Sequence, residues 1–222
     1  MRPVSKGHKG KEYKSYQDAK RDLFEAIGSY CSYCEREINH LGAVEHVQPK
    51  SNHPDKECSW DNFLLGCVNC NSTKGDTEIN DSNIDDYVWP DKNDTYHLIS
   101  YDPVTLIPSA AGNLPDEIKT KVQNLIELVG LNKAQAKEGT LDYQRASDLR
   151  VERRKEVKVL ADRYKQFYIK LDEEAKQDFL DPLQELVRSK GYWSIWMHTF
   201  EDIPEIREML LDAIPGTNKA FF

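Results

Sequence analysis

The sequence predicts an α+β chain, mainly α, in which a small metal-bearing module precedes a helical region. Three observations carry that prediction. Four of the five cysteines form two CxxC pairs, Cys31/Cys34 and Cys67/Cys70, 32 residues apart. Extended, strand-like runs are short and cluster between and just after those pairs. From Pro115 onward the apolar residues recur with the 3.6-residue period of helices.

At 222 residues the chain is long enough for one large domain or two small ones, and for a real core. It is 39% hydrophobic and 31% charged, the balance of a soluble globular protein. No run of about 18 apolar residues exists, which argues against a membrane span. The opening MRPVSKGHKGKEYKSYQ is basic and lacks the apolar centre of a secretory signal, so a cytoplasmic location is expected. The net charge of −8 is unevenly spread. Residues 1–30 and 121–170 carry a net +3 and +5, while 31–80, 81–120 and 171–222 carry −4, −6 and −6. A local basic surface can still meet a phosphate backbone; the acidic remainder suits a basic protein partner equally well.

The elements follow in order. Residues 1–30 form a basic segment and a short amphipathic helix, Ser15 to Ile27, with Ala19, Leu23, Phe24 and Ile27 on one face. Ser15 and Asp18 resemble a capping box, and Gly28 is a stop. Residues 31–80 are the motif-rich module, with extended pieces around Leu41–Val47 and a short helix near Cys70–Lys74. Residues 81–114 read as a loop-rich connector with short strands at Tyr96–Tyr101 and near Val104–Ile107. Residues 115–222 form the helical region. Its first helix carries Ile118, Val122, Leu125, Ile126 and Val129 and stops at Gly130. A second is expected from about Thr140 to Leu171, and two more at Asp172–Lys190 and Pro204–Ala213. In the second, Arg150, Arg153, Arg154, Lys155 and Lys158 offer either a phosphate-facing surface or a solvated face with pairs three residues apart. Trp193 and Trp196 either anchor a partner or fill a core.

Two CxxC turns can present four thiolates to one tetrahedral Zn2+, leaving no coordination position open. Cys31, Cys34, Cys67 and Cys70 are therefore expected to hold a structural zinc that stabilises a segment with little core of its own. Two unrelated CxxC pairs, or a redox pair, are the alternatives. Cys58 is left over, as a loose or buried thiol. Closing these turns brings the intervening loop, with its adjacent Glu45 and His46, back onto the segment bearing Asn71. Taken alone, Glu45-His46 reads as a charged surface turn.

Its surroundings change that reading. The stretches VEHVQPKS (Val44–Ser51), WDNFLLGC (Trp60–Cys67) and CNSTKGD (Cys70–Asp76) together resemble the HNH endonucleases. The resemblance covers residues 31–76 and implies a ββα-metal module, a hairpin and helix around one divalent cation. By that resemblance His46 is the general base that activates water for attack on phosphorus, and Glu45 and Asn71 hold the cation. Asn62 braces the loop and helps hold the histidine, while Lys50 and Lys74 are candidates for nucleic-acid contact. The chemistry is consistent. An imidazole titrates near neutrality, and a carboxylate with an amide oxygen suits Mg2+ or Mn2+. Asn71 stands where a second histidine is common, and His53 is a weaker alternative ligand. His40, His97 and His198 carry no mark of chemistry.

A wider likeness joins MRPVSKG, VEHVQPKSNHPDKECSWDNFLLGC and ELVGLNKAQAKEGTLDYQR to the small HNH subunits of bacterial anti-phage systems. These are the Septu nuclease subunit (PtuB) and its retron-associated relatives. It implies an antiviral defence complex with an ABC-type ATPase partner, and DNA as the favoured substrate. A ribonuclease acting on host RNA or tRNA, and a non-catalytic zinc-ribbon binding module, are the alternatives.

Overall fold

The computed structural model describes residues 1–7, 12–133 and 150–222. The first predicted helix opens as a 3-10 turn, Tyr16–Asp18, where the Ser15 side chain accepts from the Gln17 N–H. It continues as α1 (Ala19–Ile27), which buries Ala19, Asp22, Leu23 and Ile27 and ends at Gly28 with φ +75°. Strands β1 (Ala43–His46) and β2 (Phe63–Gly66) pair antiparallel, with Glu45 opposite Leu64 and His46 opposite Phe63. Helix α2 (Val68–Lys74) follows β2 directly, capped at its start by Cys67. This hairpin and helix are the expected ββα unit.

The connector differs in detail. The predicted strand from Tyr96 begins as a helical turn, α3 (Thr95–Leu98), because the Asp94 carboxylate accepts the His97 N–H. Strand β3 (Ile99–Tyr101) pairs with β4 (Pro108–Ala110), not with residues 104–107. There the Asp102 carboxylate accepts the N–H groups of Val104 and Thr105, at 3.1 and 2.6 Å, and folds the chain into a turn.

Helix α4 (Asp116–Leu128) buries Val122, Leu125 and Ile126, and Gly130 beyond it has φ +62°. Helices α5 (Arg150–Tyr168), α6 (Glu173–Lys190), α7 (Trp193–Thr199) and α8 (Pro204–Ala213) complete the chain. Among the described residues the molecule is mainly helical, with two small two-stranded sheets. None of these helices is long and apolar enough to cross a membrane. The expected start of the second helix near Thr140, and most of the stretch KAQAKEGTLDYQR, lie outside the described residues.

Two apolar clusters divide the interior. The first gathers α1, the hairpin, α2 and α4, including Leu23, Phe63, Leu65 and Ile126. The second gathers α5 to α8 with Tyr30 and Tyr96. Trp193 and Trp196 are fully buried in it, which resolves their reading in favour of core. The basic helix also resolves. Arg150 and Arg154 are buried, while Arg153 pairs with Glu156 and Lys155 with Glu152, each three residues apart. Charge counted along the sequence does not distinguish inward arginines from outward ones.

The clusters meet at the residue after the first CxxC. Glu35 has φ +65°, and its buried carboxylate accepts from Ser194 N at 2.7 Å, Ser194 Oγ at 2.5 Å and Arg2 N at 2.7 Å. Burial pushes this carboxyl up, but the Met1 ammonium and these hydrogen bonds hold it below the ordinary value. The Glu35 carbonyl accepts the Tyr192 N–H at 2.8 Å. Gly191 is required there, since an added Cβ would sit 2.6 Å from that oxygen at φ +68°.

Candidate metal centre and cleft

The CSYC turn is fixed to β2 by Ser32, whose N–H donates to Leu65 O at 2.8 Å and whose hydroxyl accepts from Leu65 N at 3.2 Å. The second CxxC lies at the start of α2, where Cys67 Sγ accepts the Cys70 N–H at 3.5 Å. All four sulfurs are buried and lie within 4.8 Å of one another, with Cys34 Sγ and Cys67 Sγ 3.7 Å apart. Zinc–sulfur bonds of about 2.3 Å in a tetrahedron put sulfurs roughly 3.8 Å apart, so the cluster fits Zn2+. The thiols alone make an uncomfortable group. Burial pushes Cys34 and Cys70 up, while hydrogen bonds from Cys31, Cys34 and Cys70 pull Cys67 down. A bound cation removes that conflict by stabilising all four thiolates. Cys58, half-buried, stands outside the cluster.

Beside the cluster, along the same helix, a cleft of about 730 Å3 is lined by Tyr16, Lys20, Glu45, His46, Lys50 and Asn71, among others. Adjacent strand residues point to opposite faces, which separates the two side chains of the Glu45-His46 pair. Glu45 turns toward α2. It is buried, its Oε1 makes an ion pair with Lys74 Nζ at 3.0 Å, and this oxygen has no hydrogen bond of good geometry among the described residues. Burial raises the Glu45 carboxyl above its usual range, against the pull of Lys74. Gly66 lies between Glu45 and Asn71. A Cβ on it would meet Glu45 Cβ at 3.2 Å and Asn71 Cβ at 3.4 Å, so the missing side chain keeps that gap open. A carboxylate and an amide side chain on either side of that gap suit a hard divalent cation.

His46 turns the other way. Its ring is held edge-on between Tyr16, at 5.0 Å, and Phe63, its strand partner, at 5.2 Å. Nε2 lies 2.9 Å from the Glu57 carbonyl. That oxygen only accepts, so Nε2 carries the proton and Nδ1 is left with its lone pair. Burial lowers the His46 pKa from its ordinary value, which favours the neutral, proton-accepting ring. Asn62 holds the loop that supplies the Glu57 carbonyl. Its Oδ1 accepts from Gln48 N at 2.7 Å, and its Nδ2 donates to Gln48 O at 2.9 Å and Lys56 O at 3.2 Å.

The two lysines diverge. Lys50 is half-exposed at the cleft rim, 4.1 Å over the Tyr16 ring and 3.7 Å from Glu57. Lys74 lies on the cleft floor with its ammonium turned inward, onto Glu45 and the His46 carbonyl at 2.7 Å. His53 is not among the cleft residues. Sequence reasoning missed Tyr16 and the Glu57 carbonyl. The first lies 30 residues ahead of the histidine it supports, and the second is a backbone group with no residue signature.

Residues 31–77 match the HNH endonuclease family. The match takes in both CxxC pairs, the hairpin and α2, 47 of the 222 residues. No curated protein matches the chain. An HNH segment folded around a four-cysteine cluster supports nuclease chemistry in general, dependence on a divalent metal, and contact with nucleic acid.

Proposed function

We propose that the protein is a metal-dependent endonuclease that hydrolyses phosphodiester bonds, with DNA the favoured substrate. The observation that carries the reading is the division of labour at the end of β1. One residue aims oxygen ligands at a gap beside α2, and the next offers an imidazole with its free nitrogen fixed by a backbone carbonyl. In this reading His46 Nδ1 takes the proton of the water that attacks phosphorus. The Glu57 carbonyl keeps the ring in the tautomer that can do so, and Tyr16 and Phe63 fix its plane. Asn62 holds the loop, and Lys50 meets a non-bridging phosphate oxygen. Glu45 and Asn71 would hold Mg2+ or Mn2+, which would supply positive charge against that developing on the leaving oxygen. The site needs only backbone groups of the substrate, so recognition through phosphate and sugar suffices. The likeness to Septu-type subunits further supports a role as the effector of a bacterial anti-phage complex, with an ABC-type ATPase governing access to the cleft.

The test is His46→Ala, assayed on supercoiled plasmid and total RNA with Mn2+. Loss of a general base should slow nicking by about 100-fold or more while zinc content stays at the wild-type value. Unchanged nicking would remove His46 from the mechanism. Degraded RNA beside intact plasmid would transfer the reading to a ribonuclease.

A further inference from the structure

Helix α5 reaches the cysteine cluster directly. Arg150, at its first turn, is 1% exposed, and its Nη1 donates to Cys70 Sγ at 3.1 Å. The same guanidinium donates to the Val129 carbonyl at 2.8 Å and the Gly130 carbonyl at 2.6 Å, closing the end of α4. A second arginine, Arg36, stands close enough to Cys34 and Cys67 for electrostatic attraction. Four thiolates around one Zn2+ carry a net negative charge, and that charge is buried here. Buried charge is costly without a partner, and a guanidinium hydrogen bond to an anionic acceptor is among the stronger ones.

We propose that Arg150 is the positioning residue for the zinc centre: it supplies the counter-charge to Cys70 and makes zinc retention depend on docking of the helical region. Cys70 is the last cysteine of the HNH segment, while Arg150 lies 80 residues on, outside the family match. The zinc centre thus becomes the joint of the two cores. Glu35 clamps the first CxxC turn to α7, and Arg150 clamps the second to α5. When α5 is docked, its guanidinium donates to the Cys70 sulfur and offsets the buried charge of the cluster. When α5 lifts away, the cluster keeps four sulfurs but loses a cation. The proposal concerns zinc alone and stands whether or not the cleft cleaves nucleic acid.

A control residue lies one turn along α5. Arg154 is equally buried, and it donates to the Leu106 carbonyl at 3.2 Å and the Leu131 carbonyl at 3.3 Å. It has no sulfur contact among the described residues. The experiment compares zinc release from the zinc-loaded full chain to excess chelator for wild type, Arg150→Met, Arg150→Lys and Arg154→Met. The expected result is release at least tenfold faster for Arg150→Met, an intermediate rate for Arg150→Lys, and a rate within twofold of wild type for Arg154→Met. Wild-type release from Arg150→Met, or equal acceleration in both methionine variants, would overturn the proposal. Should Arg150→Met fail to fold, amide hydrogen exchange on the wild-type chain decides. Stripping zinc should speed exchange at 129–131 and 150–157, and unchanged protection there would refute the coupling.

Discussion

The two sites that α2 serves use opposite chemistry. Toward Cys67 and Cys70 the surroundings are sulfur, closed and buried, with arginines as counter-charges. Toward Asn71 and Lys74 they are oxygen and nitrogen, opening on a cleft of about 730 Å3. The closed side has every ligand position taken, so it can only hold structure. The open side presents a buried carboxylate held by Lys74 and an imidazole with a free nitrogen, groups that a ligand in the cleft can reach. The contrast teaches that the first site exists to place the second.

That contrast can be broken at its strongest point first. Cys67→Ser removes one thiolate while leaving a hydroxyl that can still cap α2, so zinc content should fall to background and the cooperative melt of residues 31–77 should vanish. Structural zinc in small modules contributes on the order of 10 kcal/mol. A folded, zinc-free Cys67→Ser protein, shown by metal analysis and circular dichroism, would mean the cluster is not structural. Next in size is Lys74→Met. It leaves Glu45 buried without its cation, which should cost about 3–5 kcal/mol in denaturant melts without divalent metal. If Glu45 and Asn71 do hold Mg2+ or Mn2+, adding the ion should raise the melting temperature of Lys74→Met more than that of wild type. Equal shifts would place the ion elsewhere. The smallest expected effect is Asn62→Ala. It strands the Gln48 N–H and carbonyl, for a loss of about 1–3 kcal/mol. The Glu57 carbonyl should loosen with the loop, so nicking should fall by more than substrate affinity does. Loss of affinity alone would make Asn62 a scaffold residue with no hold on His46.

How much of this could be read in advance follows the kind of interaction. The cysteine cluster was legible because ligand spacing is local: two residues between sulfurs is the reach of one turn. The Glu45-His46 pair, Asn62 and Asn71 were singled out by the resemblance to the HNH endonucleases, not by their own spacing; the structure places Glu45, His46 and Asn71 along one cleft. The inward turn of Lys74 was not, since nothing in CNSTKGD says whether a lysine on a seven-residue helix faces solvent or the preceding strand. Arg150 was misleading in the same way. In LRVERRKEVKVL it looks like one of five surface cations, and only packing of α5 against the end of α4 shows that it points at a sulfur. The turn at 102–107 was lost because the Asp102 carboxylate competes with the sheet for the same N–H groups, which alternation of apolar residues does not reveal.

Helix α2 is seven residues long, too short to persist in water by its own hydrogen bonds. It nevertheless carries Cys70, Asn71 and Lys74 on one stripe, with Cys67 as its cap. The fold of the cysteine end and the position of Asn71 are therefore one property: any change that unwinds this helix moves both.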